Sequence, residues 1–294
     1  MVSVEGKGKR NMRRKKWNKR VRQAVIFAAV FFAGGLSLGL WTYSCEVSAH
    51  REPTVKQVNI VPILEKKNWS GTDYALLTAQ TGLAEEVLDA LEEQGRREEL
   101  LTLQEEYFQT ITICCDPNSI LSREEYVVDE QGHQVKGMSI PYVEEGDILI
   151  TFCSHAFGWR NGHVGLVVDA KDRLVLEAQV LGTPTLITSL DHWECYPSFL
   201  VLRLEGADRE ERAAIAAYAL ETLVDVPYRL TAGIWSGRTT KGADTLSGTQ
   251  CAHLVWYAYY QFGYDLDSDG GLIVTPRDLA ESKNLKIIQK YGVQ

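Results

Sequence analysis

Cys251 is the side chain best suited to nucleophilic chemistry. It follows Gly248-Thr249-Gln250 and precedes the apolar run LVWYAYYQF, which predicts a helix with Thr249 as its cap and the thiol in its first turn. Unpaired N–H groups and the positive end of the helix dipole favour a thiolate at that point. The thiol still needs a base, and His253 is unsuitable because residues two apart on a helix face different directions.

The base and a group to orient it are expected on two neighbouring strands. His163 stands in Gly162-His163-Val164-Gly165, where a strand fixes the imidazole and the glycines permit close approach of another group. Glu177 lies in the apolar run LVLEAQV, where a carboxylate needs a partner. Because adjacent strands are ~4.8 Å apart, Glu177 is within reach of His163. A Cys–His–Glu site is predicted, against the alternative that each residue is structural or solvated.

A sheet and flanking helices must position these residues. Five short runs rich in Val, Ile and Leu predict strands. They are 148–152, 164–169, 173–180, 185–190 and 199–204. One helix is predicted from about Asp208 to Val224, with Asp208 as its cap and Glu211 completing a capping box, and another from Thr249 to Phe262. Thr275-Pro276-Arg277-Asp278 is typical of a further helix start. The expected fold class is α+β.

The charges are distributed unevenly along the chain. The 294 residues are 45% hydrophobic and 24% charged, which excludes a disordered chain and a small disulfide-stapled scaffold. The net charge is −8, yet residues 1–22 carry ten Lys and Arg against one Glu. Residues 23–45 then have no formal charge, and at ~1.5 Å per residue they would form a helix of about 35 Å, long enough to span a membrane. Trp41 and Tyr43 suit the interface at one end.

The excess of positive charge before this segment predicts a cytoplasmic N-terminus and an extracytoplasmic remainder. A cleaved signal peptide is the competing interpretation, but the apolar stretch exceeds the usual ~7–15 residues and no small-x-small cleavage site follows it. A lipid-attachment site at Cys45 is disfavoured because Thr42-Tyr43-Ser44 places a bulky ring where a small residue is needed. We therefore expect a single-pass anchor.

Two segments separate the anchor from the predicted site. Residues 46–70 contain two prolines and little periodicity, which indicates a stalk or linker. Residues 71–125 are predicted to form a helical module, since apolar residues recur on one face from Thr72 to Phe108, with a break near Gly95. Its TGLAEEVLDAL stretch is superficially like a helix-turn-helix, but ten acidic residues against two arginines between Asp73 and Glu106 oppose nucleic-acid binding.

The order of several motifs resembles a known family. Gly146-Asp147-Ile148 is followed by Gly162-His163-Val164-Gly165-Leu166, Leu176-Glu177-Ala178, Pro227-Tyr228 and finally Cys251. This series resembles the NlpC-type cysteine peptidases in their circularly permuted, YiiX/YebB-like branch, in which the nucleophile helix follows the histidine strand. The resemblance covers about Pro141 to the C-terminus.

The resemblance implies a permuted papain-like catalytic domain over residues 140–294. It implies Cys251 as nucleophile, His163 as general base and Glu177 as the orienting residue, with Tyr228 facing the substrate. The chain departs from the family in having Ala252 and His253 after the nucleophile. A long insert from Leu230 to Gly248, rich in glycine, is either a mobile flap or a solvated surface loop.

Other candidate binding residues precede His163. His155, Trp159 and Arg160 are placed to line a rim of the site, and Arg160 suits a substrate carboxylate, although an exposed arginine is often merely solvated. Asp265, Asp267 and Asp269 have the spacing that opens a calcium loop, but the twelfth position is Pro276 instead of a bidentate Glu. The metal site is thus a weak alternative to an acidic turn, and no cofactor is expected.

Four further cysteines are Cys114, Cys115, Cys153 and Cys195, whose pairing the sequence leaves open. Together these features predict a membrane-anchored extracytoplasmic cysteine hydrolase of amide bonds, with cell-wall peptides as the substrate that the resemblance implies. The alternatives are a lipid-directed thiol hydrolase or acyltransferase, or an inactive module that binds the cell wall or a partner. The oligomeric state stays open.

Overall fold

The computed structural model describes residues 5–45, 50–119, 122–156, 159–232 and 246–293, and they form two units. One unit contains the N-terminal helix α1 (Glu5–Cys45) and Trp159, and the other contains the remaining described chain. Within α1, Lys19–Leu40 is long and apolar enough to cross a membrane, a property that a signal sequence shares.

The larger unit begins with four helices. They are α2 (Val61–Leu64), α3 (Gly71–Thr81), α4 (Glu85–Glu93) and α5 (Glu99–Phe108). Ser70 and Asp73 form a capping box at the start of α3, and Gly82 ends that helix at a φ of 72°. A side chain at Gly82 would meet the Lys290 carbonyl oxygen at 2.2 Å, so glycine is required for close packing here.

A six-stranded antiparallel sheet forms the centre of this unit. In chain order its strands are β3 (Ile148–Thr151), β6 (His163–Asp169), β7 (Leu174–Glu177), β8 (Leu186–Ser189), β9 (Phe199–Leu204) and β10 (Leu285–Tyr291). Their order in the sheet is β10–β9–β3–β6–β7–β8. The register places His163 opposite Thr151 on β3, and Gly165 opposite Glu177 on β7.

A smaller antiparallel sheet contains β1 (Thr112–Pro117), β2 (Ser122–Val128) and β4 (Ser154–Ala156), side by side in that order, and the two-residue β5 is Trp159–Arg160. The remaining helices are α6 (Arg209–Thr222), α7 (Cys251–Gln261) and α8 (Pro276–Ala280), and a 3-10 helix covers Leu190–Cys195. Thr275 and Asp278 form the capping box expected at α8.

Both faces of the large sheet are buried. On β3, Ile148 and Ile150 belong to one core together with residues of α6 and α7, whereas Leu149 belongs to a second core that includes the leucines of α3 to α5. The helices near the N-terminus and the sheet therefore share one core. Residues 60–69, expected to be part of a linker, contribute Ile60, Ile63 and Trp69 to it.

An ion-pair network links β9 and α6 to the residues just before β3. Both oxygens of Asp147 accept hydrogen bonds of 2.8 Å from Arg203 on β9, and Arg212 on α6 contacts Glu144. Asp147 is fully buried, where a carboxylate requires a partner of opposite charge. The Gly146-Asp147 motif thus has a structural role in positioning β3.

The structure confirms the α+β class with antiparallel sheets, the five predicted strands and the two long helices of the C-terminal half. Strands β1, β2, β4, β5 and β10 were not predicted. The predicted domain boundaries stay predictions.

Candidate functional site

Cys251 is the first residue of helix α7, and its cap differs from the predicted one. The N-cap is Gln250, whose side-chain oxygen accepts the Ala252 N–H at 2.9 Å. The prediction that Thr249 caps the helix was wrong, because the Thr249 hydroxyl instead contacts His253 Nδ1 at 3.1 Å. The Cys251 thiol lies 3.6 Å from the same Gln250 oxygen. Gln250 thereby fixes both the helix start and the surroundings of the thiol.

The Pro227-Tyr228 segment holds the chain just before Cys251. The Thr249 N–H donates to the Pro227 carbonyl at 3.0 Å, and the Arg229 N–H donates to the Thr249 carbonyl at 2.7 Å. Burial, followed by the nearby Cys251, raises the pKa of Tyr228. Tyr228 is thus a protonated, largely buried neighbour of Cys251, and its substrate-facing role stays a prediction.

His163 and Glu177 are brought together across β6 and β7. The imidazole Nε2 lies 3.1 Å from Glu177 Oε1, and both residues are buried. The residue directly opposite Glu177 is Gly165, not His163. A Cβ at Gly165 would lie 2.5 Å from Val175 Cγ1 and 3.4 Å from Glu177 Cγ. Glycine at this position therefore makes room for Val175 and Trp193 beside the His163–Glu177 pair, whereas Glu177 itself would be at ordinary contact distance.

Glu177 is held by two further groups on its other oxygen. Oε2 accepts hydrogen bonds from the Thr188 hydroxyl at 2.6 Å and from the Gln179 amide at 3.0 Å. Burial by itself would raise the pKa of Glu177, but the histidines His163 and His192 lower it well below its usual range. Glu177 is therefore a carboxylate despite its full burial.

The pKa of His163 shifts in the opposite direction, towards stronger proton binding. Burial alone would lower the pKa of this imidazole, yet its interactions with Cys251 and Glu177 raise the pKa well above the usual value. Because Nε2 faces Glu177, Nδ1 is the ring nitrogen left for the thiol. The structure thus joins Cys251, His163 and Glu177 in one chain of interactions, and their catalytic roles stay predictions.

Sequence reasoning missed two residues beside this group, Trp193 and His192. The Trp193 ring stacks on His163 at 5.4 Å between centroids, with an interplanar angle of 15°. His192 Nε2 lies 3.4 Å from Glu177 Oε1. Both belong to the 3-10 helix of the LDHWEC segment, whose N-cap is Ser189. No periodicity in so short a segment indicates which side chains face the site.

The candidate rim residues lie in a separate environment. His155 Nε2 contacts Glu125 Oε1 at 2.9 Å, and the Arg160 guanidinium donates to the same oxygen at 2.7 Å. Arg160 also donates to the Phe152 carbonyl at 2.7 Å. Trp159 is 56% exposed. His155 and Arg160 therefore serve a buried ion pair on the smaller sheet, and a substrate contact for these three residues stays a prediction.

The acidic turn forms a cluster that differs from the expected set. Oxygens of Asp267, Asp269 and Asp278 approach within 4.8 Å of one another. Asp265 Oδ1 instead accepts from Trp256 Nε1 at 2.8 Å, and Asp278 is occupied in the capping box of α8. Exposed acidic groups often meet in this way without a metal.

Five cysteines are free thiols in the described part of the chain, namely Cys114, Cys115, Cys153, Cys195 and Cys251. Most of the predicted insert, with Gly233, Gly237, Arg238, Lys241 and Gly242, lies outside the described residues. At the end of the insert, Gly248 lies against the side chain of Arg229, which immediately precedes the insert.

No protein-family model and no curated protein matches this chain. Among solved structures, it is similar to the crystal structure of metalloprotein YiiX from Escherichia coli O157:H7, with 18% sequence identity and a TM-score of 0.39. The likeness covers 50% of this chain and 97% of that chain. With identity and TM-score this low, the similarity is not evidence for an activity of this chain.

Proposed function

We propose that this protein is a membrane-anchored cysteine hydrolase that cleaves amide bonds outside the cytoplasm. One observation carries the proposal: Cys251 begins helix α7 and interacts with His163, which contacts the buried Glu177 at 3.1 Å. A thiol at a helix start, an imidazole and a carboxylate in series form the set that nucleophilic acyl transfer requires. The proposed fold of residues 140–294 is the permuted papain-like one.

The proposed reaction begins when the Cys251 proton moves to His163. The thiolate attacks the substrate carbonyl carbon, and the carbonyl electrons move to oxygen. Because the Ala252 N–H is already bonded to Gln250, the Cys251 N–H is the proposed donor to that oxyanion. The tetrahedral adduct then collapses to a thioester, and His163 protonates the departing amine.

The second half of the reaction restores the thiol. His163 accepts a proton from water as the oxygen of that water attacks the thioester carbon. The thiolate leaves and takes the proton back from His163, releasing a carboxylic acid. Throughout, Glu177 holds the imidazole by its Nε2, so that Nδ1 stays directed at the reacting atoms.

Peptides of the cell wall are the proposed substrate. The support is the motif resemblance together with the predicted topology, which would place residues 46–294 on the side of the membrane where cell-wall peptides occur. Liquid chromatography and mass spectrometry of wall fragments incubated with the full chain in detergent would test this. New peptide ends with wild-type protein and none with Cys251→Ala support the proposal, and no products with either protein favour the binding module.

The Cys–His pair itself is testable without a substrate. Alkylation of Cys251 by iodoacetamide is followed by peptide mass spectrometry between pH 4 and 9, with His163→Ala as the variant and His155→Ala as the matched control. We expect wild type and His155→Ala to react well below the ~8.5 pKa of an ordinary thiol, and His163→Ala to lose that advantage. Equal profiles for all three proteins would refute the catalytic pair.

A lipid-directed hydrolase or acyltransferase is the second candidate, and one observation favours it. Leu272 and Ile273 are 77% and 39% exposed. They directly precede Val274, whose carbonyl oxygen accepts a hydrogen bond of 2.7 Å from the Gln250 side-chain amide. Gln250 is the residue before Cys251. Exposed apolar side chains near a nucleophile suit an acyl chain. The test is incubation of the protein with phospholipid micelles. Release of fatty acid by wild type but not by Leu272→Ser would favour a lipid substrate over a peptide.

The topology is proposed from the charge before Lys19–Leu40 and the length of that segment. Fusion of a reporter phosphatase that is active only outside the cytoplasm distinguishes the two orientations. We expect activity from a fusion after residue 293 and none from a fusion before Met1. The size of the mature chain by mass spectrometry then separates a retained anchor from a cleaved signal sequence.

A further inference from the structure

We propose that His192 is a positioning residue of the Cys251 site, and that it acts in its doubly protonated form by holding Glu177 in place for His163. His192 lies in the 3-10 helix after β8, outside the motifs that carry the family resemblance. The inference rests on the proposed function, because the role of Glu177 is to orient the general base.

The first step concerns the tautomer of His192. Its Nδ1 lies 2.6 Å from the Ser189 carbonyl oxygen, which only accepts hydrogen bonds. Nδ1 must therefore carry a proton. In a neutral imidazole Nε2 would then carry a lone pair, and in an imidazolium both nitrogens carry protons.

The second step concerns what Nε2 faces. It lies 3.4 Å from Glu177 Oε1 and is buried, with no hydrogen-bond partner among the described residues. A lone pair directed at a carboxylate oxygen is repulsive, whereas a protonated Nε2 is attracted to it. The contact between His192 and Glu177 is thus favourable only when His192 is an imidazolium.

The third step concerns Glu177. Oε2 is held by Thr188 and Gln179, whereas Oε1 faces the two imidazoles, His163 at 3.1 Å and His192 at 3.4 Å. Charged His192 therefore restrains the one oxygen on which the orientation of His163 depends. Ring contacts of His192 with Trp193 and Tyr196 fix the imidazole itself, at centroid distances of 5.7 and 6.0 Å.

Among the described residues, Asp191 and Glu194 on the same 3-10 helix as His192 pair with Arg173, and two tyrosines pack nearby. Tyr196 and Tyr126 stack on each other at 5.3 Å, and Tyr126 donates to Glu124 on β2. Burial raises the pKa of both phenols, so they stay neutral near pH 7. The pKa of His192 is raised as well: burial would lower it, but Glu177 more than compensates. His163 and His192 are accordingly the imidazoles beside Glu177 whose pKa values are raised by contact with its carboxylate.

The test uses the full chain in detergent and the pH dependence of Cys251 alkylation. His192→Phe keeps a ring of similar size but loses both nitrogens, and His192→Lys supplies a cation that does not titrate near pH 7. A positioning role predicts that alkylation at pH 6 slows by about tenfold in His192→Phe, equivalent to about one unit in the thiol midpoint. We expect His192→Lys to restore most of the rate.

The same measurement has a second expected signature. The rate of His192→Lys relative to wild type should rise as the pH passes through the pKa of His192, because the lysine keeps its charge where the neutral imidazole no longer holds Glu177. His192→Gln replaces His192→Phe if circular dichroism shows that the phenylalanine variant does not fold.

Three results would overturn the proposal for His192. Equal rates in wild type and His192→Phe make His192 a structural residue. A faster reaction in His192→Phe would mean that His192 competes with His163 for Glu177, because without His192 the carboxylate would interact with His163 alone. If Cys251 is alkylated in His163→Ala as fast as in wild type, the Cys–His pair does not exist and the proposed function fails too. If alkylation is slow in His163→Ala but as fast as wild type in His192→Phe, only the role of His192 is overturned.

Discussion

Two buried His–Glu pairs lie in the larger unit, one on each sheet, and their surroundings differ. His163 contacts Glu177 at 3.1 Å, and His155 contacts Glu125 at 2.9 Å. All four residues are at most 5% exposed. By residue type, distance and burial, the two pairs are nearly indistinguishable.

The carboxylates have different additional partners. Glu125 Oε1 also accepts from the Arg160 guanidinium at 2.7 Å, a cation that keeps its charge at any physiological pH. Glu177 has a hydroxyl, an amide and a second imidazole instead. The charge of Glu125 is therefore balanced permanently, whereas that of Glu177 is balanced by groups that gain and lose protons. Only the second arrangement suits a reaction that moves protons.

The largest expected difference between the two pairs is in activity. Replacing His163 with alanine removes the proposed general base, so we expect the rate of product formation to fall by about 10²–10⁴-fold. His155→Ala should change it by less than about threefold, because the contact of His155 with Glu125 lies on the smaller sheet. A larger loss would instead support the predicted substrate contact of His155. Steady-state cleavage of the substrate identified by mass spectrometry measures both. A comparable loss of activity in both variants would contradict the proposal that only the His163 pair takes part in the reaction.

The next largest effect is expected in stability, and it falls on the other pair. Glu125→Ala removes the carboxylate that both His155 and Arg160 contact, and we expect a loss of about 3 kcal/mol in the free energy of unfolding. Urea denaturation followed by tryptophan fluorescence measures it. Glu125→Gln, which keeps an acceptor oxygen, should lose less. A stable Glu125→Ala protein would show that this pair is not a structural element.

A substitution at Gly165 should disturb the packing around the His163–Glu177 pair without changing the charges of the pair. In Gly165→Ala the new Cβ would lie 2.5 Å from Val175 Cγ1 and 2.9 Å from Trp193 Cζ2. We expect a loss of about 2 kcal/mol from overpacking. The matched control is Gly71→Ala, where a Cβ meets nothing within 4 Å and the stability should change by less than about 0.5 kcal/mol. Equal effects on thermal unfolding would contradict the packing argument.

The smallest expected effect is in the pH dependence of stability. The pKa of Glu177 is lower in the folded protein than in the unfolded chain, so its contribution is present above the unfolded value of ~4.3 and is lost as the pH falls. His163 has a raised pKa and contributes below its unfolded value of ~6.5, with loss as the pH rises through the folded value. Stability attributable to the pair should therefore be greatest between these limits.

Glu177→Gln tests the acidic side of that window. The wild-type free energy of unfolding should decline by up to about 1.4 kcal/mol per pH unit more than that of Glu177→Gln below pH 4, which corresponds to one proton. Urea denaturation at pH 3, 4 and 5 measures the slopes. Parallel slopes would mean that Glu177 has an ordinary pKa in the folded protein.

The sequence was sufficient to predict the elements whose signals are local. Runs of branched residues predicted β3, β6, β7, β8 and β9, and the Thr275–Asp278 box predicted the start of α8. The pairing of His163 with Glu177 was also predictable, because it depends on two neighbouring strands. The register that makes the contact diagonal across Gly165 was not, since it depends on a tertiary fit.

Two of the strands that were not predicted, β1 and β2, lacked a local signal. Strands β1 and β2 contain TICCDP and SREEYVV, which do not alternate between apolar and polar residues. Gln250 was missed as the cap of α7 because Ser, Thr, Asp and Asn are the usual capping residues. The contact of His192 with Glu177 depends on the 3-10 helix after β8, which the sequence did not predict. The two histidine–glutamate pairs differ only in the other groups that contact each carboxylate, and the sequence does not show those contacts.

The order of the elements along the chain has a consequence for biosynthesis. A chain that emerges N-terminus first completes β6 and β7, with His163 and Glu177, before helix α7 and Cys251 exist. Strand β10 comes later still, and it pairs with β9 while Gln289 bridges to Leu83 at the N-terminal helices. The thiol is thus the last component of the proposed site to be synthesised, so an incomplete nascent chain carries the imidazole and the carboxylate but not the proposed nucleophile.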